Sequence, residues 1–322
     1  MAIFKRAFSI FLRISVSVIL LIFLFKQVDN KTLLVTIKKA DISLLCLAFL
    51  FFFLNNTLCL FRWRMLLKAA EIRLSLKRII ISFAGGVFFN LFLPSTIGGD
   101  LVRSIDLSIH TGKPQEVVAT VLLDRLSGYI GLVLVALIAL LCGAGLIQDK
   151  IVFIAIGIIT AVLITILLVF FNSFIYSKIN KLLHSPTAGK LKSSLKNLHR
   201  EIHLFRQHKN IVIKSLLLSL IIQILGPLTA YLTALSLGLK INLIYFLIFI
   251  PIIGAVTLLP ISLGGLGLRD AMTIFFFAKI GVGKDLAFAI SLLSFLFILI
   301  YGSIGGLIYV LTVHHRRIQY HP

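Results

Sequence analysis

Long apolar runs separated by short polar stretches make up most of this chain. Runs at residues 8–25, 42–61, 117–141, 151–171, 212–237 and 286–311 each reach roughly 20 residues, which is enough for a helix to cross the hydrocarbon core of a bilayer. Two further apolar stretches, 79–110 and 242–280, are interrupted by proline and glycine. The pattern predicts an all-α polytopic membrane protein, residues 1–322 forming one membrane domain, with about six full spans and two broken helical hairpins.

Lysine and arginine concentrate in some connecting segments and are sparser in others. The N-terminus, segments 62–78 and 176–214, and the tail with Arg316 and Arg317 are strongly basic. The positive-inside rule places these parts in the cytoplasm. Loop 26–40 runs against this assignment, because it puts four lysines outside. We therefore predict a protein of the cytoplasmic membrane with cytoplasmic N- and C-termini.

The basic segment 176–210 carries an apolar stripe of helical period, formed by residues spaced three and four apart: Leu191, Leu195, Leu198, Ile202 and Phe205. Basic side chains occupy the remaining face. Such a helix lies in the cytoplasmic membrane interface, or alternatively packs against its own protein. The sequence leaves both alternatives open.

One motif occurs twice. Residues 93–103 read LPSTIGGDLVR and residues 259–269 read LPISLGGLGLR, so both copies share LPxxxGGxxxR without a gap. Proline removes a backbone donor and paired glycines disfavour a continuous helix, so we predict helix breaks at Pro94, Pro260 and Gly267. Broken helix at membrane depth is tolerated where it is buried in protein or lines a cavity, and matched breaks in two halves indicate a transporter site.

The predicted topology relates the two copies by inversion. The first broken segment starts and ends on the cytoplasmic side, and the second starts and ends outside. We therefore predict re-entrant hairpins within inverted repeat elements at 79–141 and 242–311. The alternative is two ordinary helical hairpins whose turns use proline and glycine.

Composition and charge exclude several other classes. The chain is 59% hydrophobic and only 13% charged, with a mean hydropathy of +1.09, unlike a soluble domain. A net charge of +21 suggests nucleic acid, but the basic residues lie between apolar runs and no nucleic-acid motif accompanies them. No catalytic motif, cofactor loop or metal-ligand spacing occurs. We expect a protein without cofactor that is not an enzyme.

Charged side chains inside apolar segments are costly and indicate function. Arg103, Arg125 and Arg269 lie in or beside the broken segments, together with the acids Asp100, Asp106, Asp124 and Asp270. Arginine offers a planar fork suited to phosphate, and a helix start after Gly-Gly adds free N–H groups. We expect the three arginines to converge on one polar cavity. The alternative is ion pairs that only hold the hairpins in place.

Three segments resemble a known family. NLFLPSTIGGDLVR (90–103), VLLDRLSGYIG (121–131) and LLPISLGGLGLRD (258–270) resemble the lysylphosphatidylglycerol synthase transmembrane-region family, also called flippase-like. The resemblance covers nearly the whole chain. It implies a helical membrane protein associated with lipid or glycolipid translocation. The soluble aminoacyl-transfer domain of the namesake proteins has no counterpart in this sequence, so the resemblance favours the flippase half.

The sequence thus predicts a flippase for a lipid or lipid-linked saccharide, with membrane lipids as partners, no nucleic acid, and a homo-oligomer left open. An alternative is a membrane glycosyltransferase or lipid-modifying enzyme acting on a polyprenyl phosphate; an accessory subunit is a third. The candidate substrate-binding residues are Asn90, Ser95, Thr96, Gly98, Gly99, Asp100, Arg103, Asp124, Arg125, Gly264, Gly265, Arg269 and Asp270.

Overall fold

The chain folds into helices throughout the residues that the structure describes. This computed structural model describes residues 15, 17–93, 98–143, 145–147, 149–171, 208–259, 261–262 and 264–319. Within these ranges there is no strand, which confirms the predicted all-α class. Pro94, Ser95, Thr96 and Pro260 lie outside the described residues, as does most of the predicted amphipathic segment 176–210.

The helices are, in chain order, α1 (Ser17–Gln27), α2 (Asn30–Lys38), α3 (Ile42–Ala69), α4 (Leu76–Phe89), α5 (Gly98–Thr111), α6 (Pro114–Cys142), α7 (Lys150–Phe171), α8 (Lys209–Ser236), α9 (Leu243–Val256), α10 (Leu268–Ala278) and α11 (Lys284–Gln319).

Helices α3, α6, α7, α8 and α11 are long and apolar enough to cross a membrane. They correspond to five of the predicted spans. The remaining predicted span, 8–25, lies partly outside the described residues. Helix α1 forms its second half. Helix α3 continues eight residues past the predicted end at 61 (69 − 61 = 8), and α11 continues past the predicted end at 311 to Gln319. In addition, α2 forms within the predicted loop 26–40. Apolar side chains beyond Phe61, including Trp63, Leu66 and Leu67, are buried and extend α3.

Both broken segments form helical hairpins. Helix α4 ends at Phe89 and α5 begins at Gly98; α9 ends at Val256 and α10 begins at Leu268. The breaks therefore fall where the repeated motif predicts them. At 14 residues, α4, α5 and α9 are each about 21 Å long, and α10 is shorter. No arm reaches the roughly 30 Å of a bilayer core.

The helix ends gather at two faces. At the first face the amide of Asp41, which caps α3, donates to the carbonyl of Ser236 at the end of α8 (2.8 Å). Lys279, just after α10, forms an ion pair with Asp149 at the start of α7, and this hydrogen bond lowers the pKa of the Asp149 carboxyl. At the second face, the end of α3 packs with Ile211 near the start of α8. Helices α3 and α8 are therefore antiparallel.

The two hairpins open at opposite faces. Tyr245, at the start of α9, donates to the carbonyl of Leu146 beyond α6 (3.4 Å), so α9 starts at the face where α10 ends and Lys279 pairs with Asp149. Helix α4 follows the end of α3, and its Arg78 pairs with Asp106 of α5 (2.7 Å). The first hairpin thus opens at the second face.

Packing follows one scheme in both halves. The first arm of each hairpin packs against the long helix that follows the other hairpin, α4 against α11 and α9 against α6, while α3 packs along α8. Small residues allow the close approach of α4 and α11: a Cβ on Gly305 would lie 2.9 Å from the carbonyl oxygen of Ala84. The largest apolar core, around Phe246, Phe277 and Phe288, holds the second hairpin against α11.

Candidate functional site

A polar cavity of about 450 Å³ lies between the two hairpins. It is lined by residues from α3, α4, α5, α6, α8 and α9 and from the tips of both hairpins. The polar residues among them are Asn55, Asn56, Arg62, Asn90, Asp100, Arg103, Asp124, Arg125, Tyr129, Gln223 and Thr257. Two helix-interior prolines, Pro227 of α8 and Pro251 of α9, also line it, and each removes one backbone hydrogen bond beside the cavity.

The tip of the first hairpin positions the charged residues of α5. The Gly99 N–H donates to the Asn90 side-chain oxygen (2.6 Å), which closes the tip across the break. Helices α4 and α5 touch through glycine: a Cβ on Gly99 would lie 2.0 Å from the carbonyl oxygen of Gly86. This contact fixes where α5 begins, and hence where Asp100 and Arg103 project.

Asp124 of α6 is held between two arginines from different helices. Its Oδ1 accepts from Nε of Arg62 on α3 (2.8 Å), and its Oδ2 accepts from a terminal nitrogen of Arg103 on α5 (3.0 Å). Arg62 also donates to Ser219 of α8 (2.8 Å). All three ionic side chains are at least nine-tenths buried. The network therefore joins four helices around the cavity.

Asp100 closes the other side of the network. It pairs with Arg103 one turn later on α5 (2.9 Å), as the i, i+3 spacing predicts, and with Arg125 of α6. Arg125 is the most accessible of the cavity arginines, with 29% of its side chain exposed. The Arg103 guanidinium also lies over the ring of Trp63, 4.5 Å from its centre, in a cation–π contact.

The two hairpins meet at their tips. A Cβ on Gly264 would lie 3.1 Å from the carbonyl oxygen of Asn90. Gly264, Gly265 and Gly267 all have positive φ (53°, 81° and 77°), a conformation that favours glycine, and Gly267 caps α10. Thr257 and Leu258, from the second tip, line the same cavity as Asn90 and Gly99. The cavity thus contains parts of both repeated motifs.

Arg269 was expected at this cavity and lies elsewhere. Its Nε donates to Ser291 of α11 (3.1 Å) and a terminal nitrogen pairs with Asp270 (3.0 Å). Asp270 also accepts from Ser291 and from the Gly267 N–H (2.9 Å). The reason is geometric: α10 packs against α11, so Arg269 reaches that helix, just as Arg103 reaches α6.

The predicted site residues therefore divide into four groups. Asn90, Gly99, Asp100, Arg103, Asp124 and Arg125 line the cavity. Three glycines lie at the hairpin tips: Gly98, Gly264 and Gly265. Arg269 and Asp270 lie outside the cavity and form a second charged cluster with Ser291. Ser95 and Thr96 lie outside the described residues.

Sequence reasoning missed Arg62. It was counted with the basic segment 62–78, whereas the structure places it inside α3 and only 6% exposed. The signal was present: Leu60, Trp63 and Leu67 continue a helical apolar period across Arg62 and are all buried together. Asn55, Asn56 and Gln223 were also missed, because polar residues within long apolar spans carry no motif.

Comparison with known proteins gives one consistent family. The family described as "Lysylphosphatidylglycerol synthase TM region" matches residues 10–306. Similar proteins include a UPF0104 membrane protein of Pyrococcus horikoshii, 27% identical over 80% of this chain and 83% of the relative. Two UPF0104 membrane proteins of Methanothermobacter thermautotrophicus are 24% and 23% identical, over 72% and 79% of this chain and 73% and 80% of their own lengths.

Proposed function

This chain belongs to the lysylphosphatidylglycerol synthase TM region family, and from that premise we propose that it is a flippase for a lipid or lipid-linked saccharide. The anionic headgroup binds in the polar cavity. The observation that carries the proposal is the buried arginine network around Asp100 and Asp124, in a multi-pass membrane protein, at the meeting point of two broken helices. Arginine forks are suited to phosphate, and buried charges in a membrane protein indicate a substrate path.

An apolar groove beside the cavity favours a lipid over a soluble anion. The groove, of about 390 Å³, lies between α6, α7 and α9 and is lined almost wholly by aliphatic side chains. It shares Tyr129, Leu132 and Leu258 with the polar cavity. A molecule with its headgroup in the cavity can therefore place a hydrocarbon chain in the groove.

The acids of the network favour binding over catalysis. Asp100 and Asp124 each accept hydrogen bonds from two arginines, so neither is placed as a free base. The alternative of a lipid-modifying enzyme would require such a group near the reacting atom. A transport role uses the same residues and requires no free general base.

We further propose that the hairpins are re-entrant and inverted, with the second face in the cytoplasm. Their short arms, their opening at opposite faces and the exchanged packing of α4–α11 and α9–α6 support this arrangement. The orientation follows the basic residues of the segment between α7 and α8.

Cysteine accessibility tests this topology. In a background with all three native cysteines replaced, Lys240→Cys and Lys284→Cys, which flank the second hairpin, should react with an impermeant reagent applied outside intact cells. Lys77→Cys and Lys113→Cys, which flank the first, should react only after permeabilisation. All four lysines are exposed. Labelling of Lys77→Cys or Lys113→Cys from outside would contradict the inverted arrangement.

A native cysteine tests the function itself. Cys59 lines the cavity, whereas Cys46 and Cys142 are exposed. In proteoliposomes, Cys46→Ser/Cys142→Ser protein should speed the flipping of fluorescent phosphatidylglycerol, measured by dithionite quenching. A methanethiosulfonate reagent should then block flipping at least about tenfold, because the adduct fills the headgroup cavity.

The matched control keeps Cys142 as its single cysteine, in Cys46→Ser/Cys59→Ser protein. Its flipping rate should be the same before and after the reagent, since Cys142 lies at the end of α6, away from the cavity. Undiminished flipping after complete modification of Cys59, verified by mass, would refute transport through this cavity.

A further inference from the structure

The charges that line the polar cavity do not balance. Three arginines (Arg62, Arg103 and Arg125) face two aspartates (Asp100 and Asp124), which leaves a net charge of +1 (3 − 2 = +1) among the described lining residues. Each aspartate is already shared between two arginines. Arginine stays protonated in proteins, so the excess charge cannot be removed by losing a proton.

One donor of this network is unused. The NH1 nitrogen of Arg103 is buried and has no hydrogen-bond partner within the described part of the chain, while the rest of that guanidinium pairs with Asp100 and Asp124. The residue is only 3% exposed. An unpaired buried donor on a charged group is costly. The NH1 nitrogen of Arg269, in the second half, is likewise buried without a partner within the described part of the chain, so it is the excess charge of the cavity cluster as a whole that calls for an anionic ligand.

The matched cluster of the second half shows no such excess among the residues that the structure describes. Its matched arginine, Arg269, pairs with the adjacent Asp270, and its contact on the following long helix is the neutral Ser291. That cluster carries one positive and one negative charge. In the first half, the carboxylate of Asp124 takes the place that the Ser291 hydroxyl has in the second. The first half also has two further arginines, Arg62 and Arg125. Of the two matched clusters, the one at the cavity therefore carries the unbalanced charge.

We propose that the cavity selects a phosphodiester headgroup with a single net negative charge. This inference rests on the proposed function and narrows its substrate class. One monoanion neutralises the buried site, whereas a phosphomonoester, at about −1.5 to −2, or a diphosphate leaves it negative. A zwitterionic headgroup leaves it positive. Uncompensated buried charge is strongly unfavourable, so the net charge of the ligand decides its affinity.

The protein contains its own reporter of binding. Trp63 is the single tryptophan of the chain, is fully buried, and lies under the Arg103 guanidinium. Its fluorescence should change when an anion reaches Arg103. Purified protein in neutral detergent is titrated at pH 8 with dihexanoyl phosphatidylglycerol, phosphatidylcholine and phosphatidic acid, which carry one, zero and nearly two net negative charges.

We expect phosphatidylglycerol to bind at least tenfold more tightly than phosphatidylcholine or phosphatidic acid. Asp100→Asn raises the net charge of the cavity to +2, and should shift the preference towards phosphatidic acid by tenfold or more. Asp149→Asn, which changes a surface ion pair, should leave the preference unchanged. Phosphatidic acid binding to the wild-type protein as tightly as phosphatidylglycerol would overturn the charge rule while leaving the proposed function intact.

Two other outcomes concern the proposed function. Absence of binding by any anionic lipid would overturn the headgroup site itself, and the charge rule with it. Glycerophosphoglycerol, the deacylated headgroup, should bind at least tenfold more weakly than the lipid. Equal affinity would identify a soluble phosphodiester as the ligand, which would support the charge rule and overturn a lipid substrate.

Discussion

Replacing Arg103 by alanine should abolish lipid flipping while leaving a folded protein. Arg103 lines the cavity and contacts both aspartates of the network. Losing the charge-assisted contact between Arg103 and the bound headgroup should weaken binding by about 2–5 kcal/mol, or about 30-fold and more. The fold should survive, because Asp100 keeps Arg125 and Asp124 keeps Arg62. Flipping in proteoliposomes, normalised to reconstituted protein, measures the loss.

The matched arginine of the second half provides the control. Arg269→Ala/Asp270→Ala removes a neutral pair outside the cavity, so its effect should fall on thermal stability and yield more than on flipping per folded molecule. Arg103→Lys should flip poorly, since lysine keeps the charge but lacks the fork. Wild-type flipping by folded Arg103→Ala protein would eliminate the arginine site.

Gly99→Ala should prevent the first hairpin from packing. The added Cβ would lie 2.0 Å from the backbone oxygen of Gly86 and 2.6 Å from the Asn90 side chain. Alanine favours a helix over glycine by about 1 kcal/mol, but a clash with backbone cannot be relieved by rotating a side chain. Overpacking typically costs about 1–3 kcal/mol, so we expect a net loss of stability and much less folded protein.

Gly254→Ala is the matched substitution in α9. Nothing lies within 4 Å of the Cβ that it would add, so helix propensity alone should act and stability should stay level or rise slightly. Size-exclusion yield and the unfolding midpoint in detergent distinguish the two variants. An unfolding midpoint of Gly99→Ala equal to that of the wild type would show that α4 and α5 do not depend on this contact.

The repeated motif predicted the breaks well, because proline and paired glycine act on the backbone locally. The structure ends α4 at Phe89 and α9 at Val256, a few residues before Pro94 and Pro260. The five long spans and the pairing of Asp100 with Arg103 were likewise predictable, since both depend on helical period and length. The family was predicted from the same motifs and is confirmed.

The composition of the site depended on packing between helices, which local pattern does not encode. Whether Arg103 and Arg269 share a cavity depends on the long helix against which the second arm of each hairpin packs. Arg103 reaches Asp124 of α6, and Arg269 reaches Ser291 of α11. Arg62 was missed because of an error in local structure, not in packing. Counting it as a loop charge ignored that the helix around it continued, so its burial beside Asp124 was not foreseen.

The contact between the hairpin tips has an electrical consequence. Asn90 and Gly264 meet between two sets of arms that are each too short to span a bilayer. In the re-entrant arrangement proposed above, the layer that excludes water is therefore thinnest at this contact. Transmembrane voltage falls across the layer that excludes water, and a thin layer concentrates the field. A single charge moved through the full potential changes in energy by about 2.3 kcal/mol per 100 mV. For an anion crossing at the tips, an interior-negative voltage would itself drive outward movement.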